Sequence, residues 1–272
     1  MKSILLPIDQ SEGMPSALET ARLLGDIFNA TVEGVALRPA FAEIVAPDPI
    51  VAVTIPPADW NETDFCRSVR LTFDQFAASH PPAAGKGAQF RWRGGSAIDD
   101  GALGSLGRVY DACVLGRPGG RGARMTAVEA ALFDSGRPVI MAPPTPPKSL
   151  GQTVLIHWNA STETARCMLF AMPLIKQAKR VSVIAVEGAI SPGPTIKDVV
   201  AYLATHGIDA ADKTVTGKPS RAGEAILAEA AAIGADLLIK GAYTQSRLRQ
   251  MIFGGATSHI LSAADIPVFF AH

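Results

Sequence analysis

The chain has 272 residues and a formal net charge of zero, so no overall positive field is available to hold nucleic acid. Hydrophobic residues make up 48% of the sequence and charged residues 18%, which excludes intrinsic disorder and indicates one large or two ordinary globular domains. No apolar stretch approaches the length of a membrane-spanning helix, and the first residues run directly into a predicted strand without a signal sequence. We therefore expect a cytoplasmic protein that has no membrane or nucleic-acid partner.

The residue types that usually carry metal or covalent chemistry are scattered. The three cysteines are far apart and lack a Cys-x-x-Cys spacing, and the five histidines show no metal-ligand spacing. Neither a disulfide framework nor a metal site is therefore predicted. A complete Walker A motif and a Gly-x-Ser-x-Gly elbow are also missing from the sequence, so no catalytic residue is predicted.

The first half begins with an apolar strand at 4–8, and a polar turn containing Asp9 and Ser11 follows it. A helical pattern occupies 16–28, and Ser11 is placed to cap that helix. The remaining predicted strands are 31–37, 89–93, 112–115 and 138–142, with helices at 61–79 and 97–107 between them.

The second half repeats this plan. A strand at 154–157 leads to a polar turn with Asn159 and Ser161, and a helix is predicted at 162–177. The remaining predicted strands are 180–186, 212–216, 237–239 and 267–271, and the remaining helices are 196–205, 221–233 and 256–263. Alternating strands and helices predict a parallel sheet with helices on both faces, because parallel strands need long crossovers.

The two halves meet at a proline-rich run, which can continue neither a helix nor a central strand. We predict a first domain at 1–143, a linker at 144–151 and a second domain at 152–272. The first half is the longer one, and its extra residues fall mostly in 39–60. This insertion is either a lid over a site or a passive or partner-facing segment, and the sequence leaves both open.

The strand-Asp-x-Ser start, the glycine motif before the last helix and the closing x-Pro-Val strand resemble the universal stress protein family in its tandem form. The resemblance implies two Rossmann-like domains of the adenine nucleotide α-hydrolase type, each with a five-stranded parallel sheet and helices on both faces. It also implies that the closing strands associate. In a tandem chain they would join the two domains as a pseudo-dimer, and a homodimer of whole chains is a further expectation.

The family's nucleotide-binding members carry Gly, two residues, Gly, nine residues, Gly and then Ser or Thr. In the second half Gly241 and Gly254 match this motif, whereas Thr244 and Gly255 depart from it. Thr257 matches a threonine often found two residues further on, and Asn159 stands where the family usually has an aspartate beside the adenine and ribose. The resemblance thus implies a nucleotide site at Asn159, Gly241, Thr244, Gly254, Gly255 and Thr257.

Glycine at a strand-to-helix junction lets the backbone approach a phosphate, and the helix N-terminus adds free N–H groups. The alternative explanation is that the glycines only permit a helix to pack closely on a strand. In the first half the motif is degraded. The resemblance places a second, altered site there at Asp9, Gly116, Gly119 and Thr126.

The sequence therefore predicts a stress-response binding protein, with ATP or another adenine nucleotide in the second half, with or without Mg²⁺. Two alternatives stay open, namely an interaction module that binds no nucleotide and a weak ATPase.

Overall fold

The structure is a computed structural model that describes residues 1–47, 50–83, 85–119, 124–216, 218–242 and 255–272. Strands and helices alternate through both halves. The first half contains β1 (Ser3–Ile8), α1 (Met14–Phe28), β2 (Thr31–Ala36), β3 (Ala42–Pro47), β4 (Ile50–Ile55), α2 (Glu62–Ser79), β5 (Gln89–Trp92), α3 (Asp100–Gly107), β6 (Ala112–Gly116), α4 (Met125–Asp134) and β7 (Val139–Ala142). The second half contains β8 (Thr153–His157), α5 (Thr162–Ile175), β9 (Arg180–Val186), α6 (Ile196–Thr205), β10 (Ala210–Val215), α7 (Ala222–Ile233), β11 (Leu237–Gly241), α8 (Ala256–Ala263) and β12 (Val268–Ala271).

Ten of these strands form one sheet, in the order β10-β9-β8-β11-β12-β7-β6-β1-β2-β5. Each half contributes five adjacent strands, which pair in parallel within that half. The predicted fold class is confirmed: the chain has two Rossmann-like halves in tandem, each with five parallel strands and with helices on both faces of the sheet.

The two halves join through their closing strands. Strands β7 and β12 pair antiparallel, and Phe269 lies opposite Ile140 in the register. Both side chains are fully buried. The closing strands therefore meet within the chain, as the resemblance to the tandem family implied, and their pairing makes the sheet continuous.

The core consists of two layers, one on each face of this sheet. Side chains on one face, such as Ile4 and Ile156, pack against α1, α2, α5 and α6. Side chains on the other face, such as Leu5 and Leu238, pack with residues of α3, α4, α7 and α8. Strands that are buried on both faces read as continuous apolar runs, which explains the composition of β1 and β11.

Of the two serines predicted to cap the helices after the polar turns, one does so. Ser161 is the N-cap of α5, and its side chain accepts a hydrogen bond from the N–H of Thr164. The equivalent prediction for Ser11 is wrong, because the N-cap of α1 is Gly13, which provides no side-chain cap, and the helix begins at Met14, two residues earlier than predicted. Helix α3, in contrast, begins later than predicted, since Ile98 still pairs with Leu37 in an isolated β-bridge.

The insertion at 39–60 is not simply one long loop. Strands β3 and β4 form an antiparallel hairpin apart from the main sheet. Between β7 and β8 the chain contains neither helix nor strand, as proline predicts there. The division into domains at 144–151 stays a prediction.

Candidate functional site

The order of strands places a crevice between β8 and β11 in the second half. The chain continues from β8 to β9 on one side, and it returns from β10 to β11 on the other. In open α/β sheets such a switch point, at the carboxyl ends of the strands, is where ligands bind. His157 and Lys240 are the last register pair of β8 and β11. They therefore lie side by side at this end of the sheet, on the same face.

Lys240 is a buried cation at the switch point, with 3% of its surface exposed. Its Nζ atom donates hydrogen bonds to Thr257 Oγ1 at 2.8 Å and to the backbone oxygen of Gly241 at 2.7 Å. Among the described residues no carboxylate forms an ion pair with it. Burial lowers the pKa of Lys240 from 10.5 to about 8, because desolvation disfavours the charged form.

His157 adds a second basic group beside Lys240. It is 3% exposed, and neither ring nitrogen has a hydrogen-bond partner among the residues that the structure describes. Burial, and secondly the charge of Lys240, lower the pKa of His157 to about 3, so the ring is neutral at physiological pH. Buried polar groups are normally satisfied, and two unsatisfied nitrogens at one position therefore need an explanation.

Helix α8 begins next to Lys240. Gly255 is its N-cap and provides no side-chain cap, so the first N–H groups of the helix lack that partner. Thr257, in the first turn, is 4% exposed and holds the hydrogen bond from Lys240. A buried ammonium, a hydroxyl and a helix N-terminus therefore converge at one point, a combination that suits an anion.

Asn159 follows β8 and is 8% exposed. Its Oδ1 atom accepts hydrogen bonds from the N–H of Ser161 at 3.2 Å and from the hydroxyl of Thr164 at 2.5 Å. Both donors belong to the start of α5. The side-chain oxygen of Asn159, a residue that the sequence predicts to contact the ligand, therefore already holds the turn between β8 and α5.

Gly241 ends β11 where α5 approaches the sheet. A Cβ atom at this position would lie 2.5 Å from the backbone nitrogen of Thr164 and 2.7 Å from the carbonyl carbon of Glu163. Backbone atoms cannot move aside as a flexible side chain can, so this glycine is required for helix packing. Gly241 therefore permits close packing of a helix on a strand, which was the alternative explanation for the glycines of the motif, whether or not it also contacts a ligand.

Two of the predicted second-half positions, Thr244 and Gly254, lie outside the described residues. Their assignment to the site stays a prediction. The structure brings together Lys240, Gly241, Gly255 and Thr257 on the β11 and α8 side, with Asn159 at the end of the neighbouring strand β8.

The first half has two adjoining clefts, lined by the segments that follow β1 and β2 and by residues at the starts of α3 and α4. The larger has a volume of about 550 Å³ and is lined by Arg38, Pro39, Ala40, Phe41, Asp99, Asp100, Gly101, Arg124 and Thr126. The smaller, of about 220 Å³, is lined by Asp9, Gln10, Ser11, Arg38, Pro39, Phe65 and Arg124. The predicted residues Asp9 and Thr126 thus reach neighbouring clefts that share Arg38 and Arg124.

The two first-half glycines lie elsewhere. Gly116 and Gly119, both within the described residues, are not among those lining either cleft. A Cβ atom on Gly116 would be 3.7 Å from Gly13, an ordinary contact, whereas Gly119 has a φ of +103° that favours glycine. The structure does not bring these glycines together with Asp9 and Thr126 around a described cleft.

Three residues of these sites were not predicted from the sequence. Lys240 had a signal, since it is a charged residue inside an apolar strand directly before a glycine. Arg38 and Arg124 had none, because cationic loop residues are usually solvated. The described residues contain no group of three or more His, Cys, Asp or Glu side chains that could hold a metal. Nor do they form a helix with the length and apolar character needed to cross a membrane.

The second half of the chain is similar in sequence to a known protein family. Residues 174–272, from the last two residues of α5 onwards, match the sequence model of the universal stress protein family. The chain contains a universal stress protein domain. The resemblance seen in the sequence is confirmed, and it includes β11, α8 and β12, which build the candidate site. Comparison with curated proteins gives no match.

In fold, the likeness to solved structures extends over nearly the whole chain. A universal stress protein from Archaeoglobus fulgidus DSM 4304 covers 98% of this chain and 97% of its own, with a TM-score of 0.71 and 19% identity. A functionally unknown protein from Pseudomonas aeruginosa PAO1 covers 100% of this chain and 92% of its own, with a TM-score of 0.59 and 12% identity. At such identities the likeness concerns the fold, and it spans both halves.

Proposed function

We propose that the second half of the chain binds an adenine nucleotide, with a phosphate group at Lys240 and the N-terminus of α8. One observation carries this proposal: the buried Lys240 ammonium lies 2.8 Å from the Thr257 hydroxyl and has no ion-pair partner among the described carboxylates. An uncompensated buried charge costs several kcal/mol. A bound phosphate would supply the missing negative charge.

The surrounding groups favour an anion as well. The N-terminus of α8 has a positive partial charge and N–H groups without a side-chain cap. The hydroxyl of Thr257 accepts from Lys240 through its oxygen, which leaves its own proton for a phosphate oxygen. Ammonium, hydroxyl and backbone amides together match the donor set that proteins use to hold phosphate.

The adenine part of the proposal rests on the family and on the position of Asn159 beside the crevice. Both lone pairs of Asn159 Oδ1 are used by Ser161 and Thr164. A nucleoside contact at this residue therefore falls to its amide nitrogen, which is a donor. The ligand atom that meets it would be an acceptor, such as a ring nitrogen of the base or a ribose oxygen.

Titration calorimetry with ATP, ADP and AMP, each with and without Mg²⁺, tests the proposal. Lys240→Met keeps the length of the side chain and removes its charge, and we expect affinity to fall about ten- to hundredfold, since a hydrogen bond to a charged group contributes about 1.5–3 kcal/mol. Thr257→Val should weaken binding less, because it removes a neutral donor.

The matched control is Lys213→Met. Lys213 lies on the edge strand β10 and forms an ion pair with Glu229 of α7. The nucleotide affinity of this variant should equal that of the wild type. If no adenine nucleotide binds to the wild-type chain, the proposal fails and the interaction module that binds no nucleotide takes its place.

A further inference from the structure

A cavity of about 330 Å³ lies in the first half near the amino ends of β1 and β2, away from the clefts at their carboxyl ends. Its lining includes Ser3 of β1, Glu33 of β2 and Arg91 of β5, together with Tyr110 directly before β6. The volume lies at the lower end of the range of small-molecule pockets, about 300–1,000 Å³. A ligand that fits this cavity is therefore a small molecule or a part of one.

Glu33 is a buried carboxylate in this lining, with 4% of its surface exposed. It accepts hydrogen bonds from Arg91 Nε at 3.1 Å and from Arg93 Nη1 at 3.3 Å. Burial would raise the pKa of Glu33, but the hydrogen bonds from the two arginines outweigh it and hold the pKa below its ordinary value. The ionised carboxylate thus fixes the direction of two guanidinium groups, and it can balance the charge of only one.

Positive charge exceeds negative charge around the cavity. The described lining contains three cations, Lys2, Arg91 and Arg93, against the one carboxylate of Glu33, which leaves a formal charge of +2. Lys2 Nζ donates a hydrogen bond to the backbone oxygen of Phe28 at 2.7 Å and forms no ion pair among the described residues. An anion in the cavity would therefore be attracted.

Asp111 follows this lining in the chain, but its carboxylate is already engaged. Its Oδ2 atom accepts hydrogen bonds from the backbone N–H of Lys2 and, at 3.0 Å, from that of Ser3. Ser3 Oγ accepts the N–H of Asp111 at 3.2 Å, which leaves the hydroxyl proton of Ser3 for another acceptor. With Asp111 counted, three cations face two carboxylates, and one positive charge is still in excess.

The buried carboxylate and its arginines are not a requirement of the repeated fold, because the second half lacks them. Glu33 lies opposite Arg91 in the pairing of β2 with β5. The equivalent position in β9, opposite the matching leucine of the half's first strand, is Ser182, and its partner in β10 is Ala211. Two halves with the same strand order thus differ at this point in charge alone.

The third position of the cluster differs as well. Lys213 is the counterpart of Arg93, two residues further along the edge strand, and it has its own carboxylate partner, Glu229 of α7, at 2.6 Å. Helix α7 is 12 residues long, whereas its counterpart α3 has 8 residues. In the first half Arg93 instead shares Glu33 with Arg91, so the excess of positive charge is specific to this half.

We propose that this cavity binds a dianionic phosphate group, either as free inorganic phosphate or as part of a small organic molecule, at Lys2, Arg91 and Arg93. The side chains of Arg91 and Arg93 are 69% and 49% exposed, so a ligand reaches them from solvent. Guanidinium groups bind phosphate oxygens in pairs, and Glu33 orients them before the ligand arrives, which lowers the entropy cost of binding. The alternative explanation is that the arginines are solvated charges that protect the edge strand β5 from pairing.

Calorimetry with inorganic phosphate and with glycerol 3-phosphate tests the proposal, and succinate is the dianion of different shape. The titrations use a Lys240→Met chain, in which the second-half site is disabled, and also the wild type, so that a loss of yield in the variant does not end the test. We expect a phosphate probe to bind with a dissociation constant below about 1 mM, and more tightly than succinate. Tighter binding of inorganic phosphate would identify the free ion as the ligand, and tighter binding of the ester an organic phosphate.

Variants identify the residues. Arg91→Gln and Arg93→Gln should each weaken phosphate binding about tenfold or more, since each removes a charged donor. Arg70→Gln is the matched control, because Arg70 is an exposed arginine of α2 that forms an ion pair with Asp74. Its affinity for phosphate should equal that of the parent chain.

The affinity for glycerol 3-phosphate should depend on pH through the ligand. A phosphomonoester has its second pKa near about 6, so the dianion predominates at about pH 7.5 and the monoanion at about pH 5. Hydrogen bonds hold the pKa of Glu33 below its ordinary value, whereas burial and the charge of Glu33 raise the pKa of Tyr110, so neither group changes its charge between these values. We expect tighter binding at the higher pH.

Four results would each overturn the proposal: neither phosphate probe binds at about 1 mM, both arginine variants keep the parent affinity, succinate binds more tightly than both phosphate probes, or the ester binds equally at both pH values. The proposal does not depend on the nucleotide site of the second half, which the Lys240→Met background disables. Failure of one therefore leaves the other standing.

Discussion

The Nζ atom of Lys240 donates a 2.8 Å hydrogen bond to Thr257 Oγ1 and so connects the end of β11 to the first turn of α8. These two residues lie on either side of the segment that carries the rest of the glycine motif, residues 243–254. Both side chains are almost fully buried. The contact therefore fixes the distance between strand and helix at the point where we propose that a phosphate binds.

Replacing Lys240 with Met should stabilise the ligand-free protein while weakening nucleotide binding. Burying a charge without a partner costs several kcal/mol of lost hydration, and methionine avoids that cost because it is uncharged. Chemical denaturation at pH 7 measures the first effect, and calorimetry measures the second. A loss of both stability and binding would instead indicate that Lys240 is a structural cap for Thr257.

Alkaline pH should stabilise the free protein through Lys240. Its pKa is about 8 in the folded chain against an ordinary value of 10.5, so the unfolded chain binds more protons between these values and stability rises with pH across that window. The full effect is about 3 kcal/mol. Denaturation of the wild type and of Lys240→Met at several pH values isolates it, because the variant lacks this slope.

Acid should destabilise the protein through His157. Its pKa is about 3 in the folded chain and 6.5 ordinarily, so below about pH 6.5 the unfolded chain takes up a proton that the folded chain refuses. Stability should fall by about 1.4 kcal/mol per pH unit towards pH 3. Urea denaturation of His157→Leu beside the wild type checks this, and equal slopes below pH 6 would show that His157 has a partner in solution.

Gly241→Ala should destabilise the chain by about 1–3 kcal/mol, because the new methyl group meets the backbone of Thr164. Gly94→Ala is the matched control, since a Cβ atom there has nothing within 4 Å and φ lies outside the left-handed region. Thermal denaturation compares the two. Equal melting temperatures would mean that α5 can move away from β11 at little cost.

The sequence predicted the fold well because its signals were local and repeated. Apolar strands such as β1 and β8, each followed by a polar turn and a helix, have clear periodicity in both halves. The hairpin of β3 and β4 was missed, since its composition was interpreted as an insertion loop. The cap at Ser11 was wrong because the competing start at Gly13 and Met14 has no distinctive polar residue.

The candidate site was less predictable because its contacts link residues that are distant along the chain. Glycine spacing indicated where β11 and α8 meet, but the packing of Gly241 against Thr164 depends on how α5 crosses the sheet. The pairing of Arg124 with Asp100 likewise follows from the contact between α3 and α4. No short motif in the sequence encodes such distances.

The pKa of Lys240, measured by NMR on the chain labelled with ¹³C-lysine, tests the proposed phosphate contact most directly. We expect a value of about 8 in the free protein. With saturating ATP it should rise by at least about one unit, because a phosphate beside the ammonium favours the charged form. If ATP binds and the pKa of Lys240 does not change, the nucleotide phosphate is not at this lysine, and the account of the second-half site is wrong.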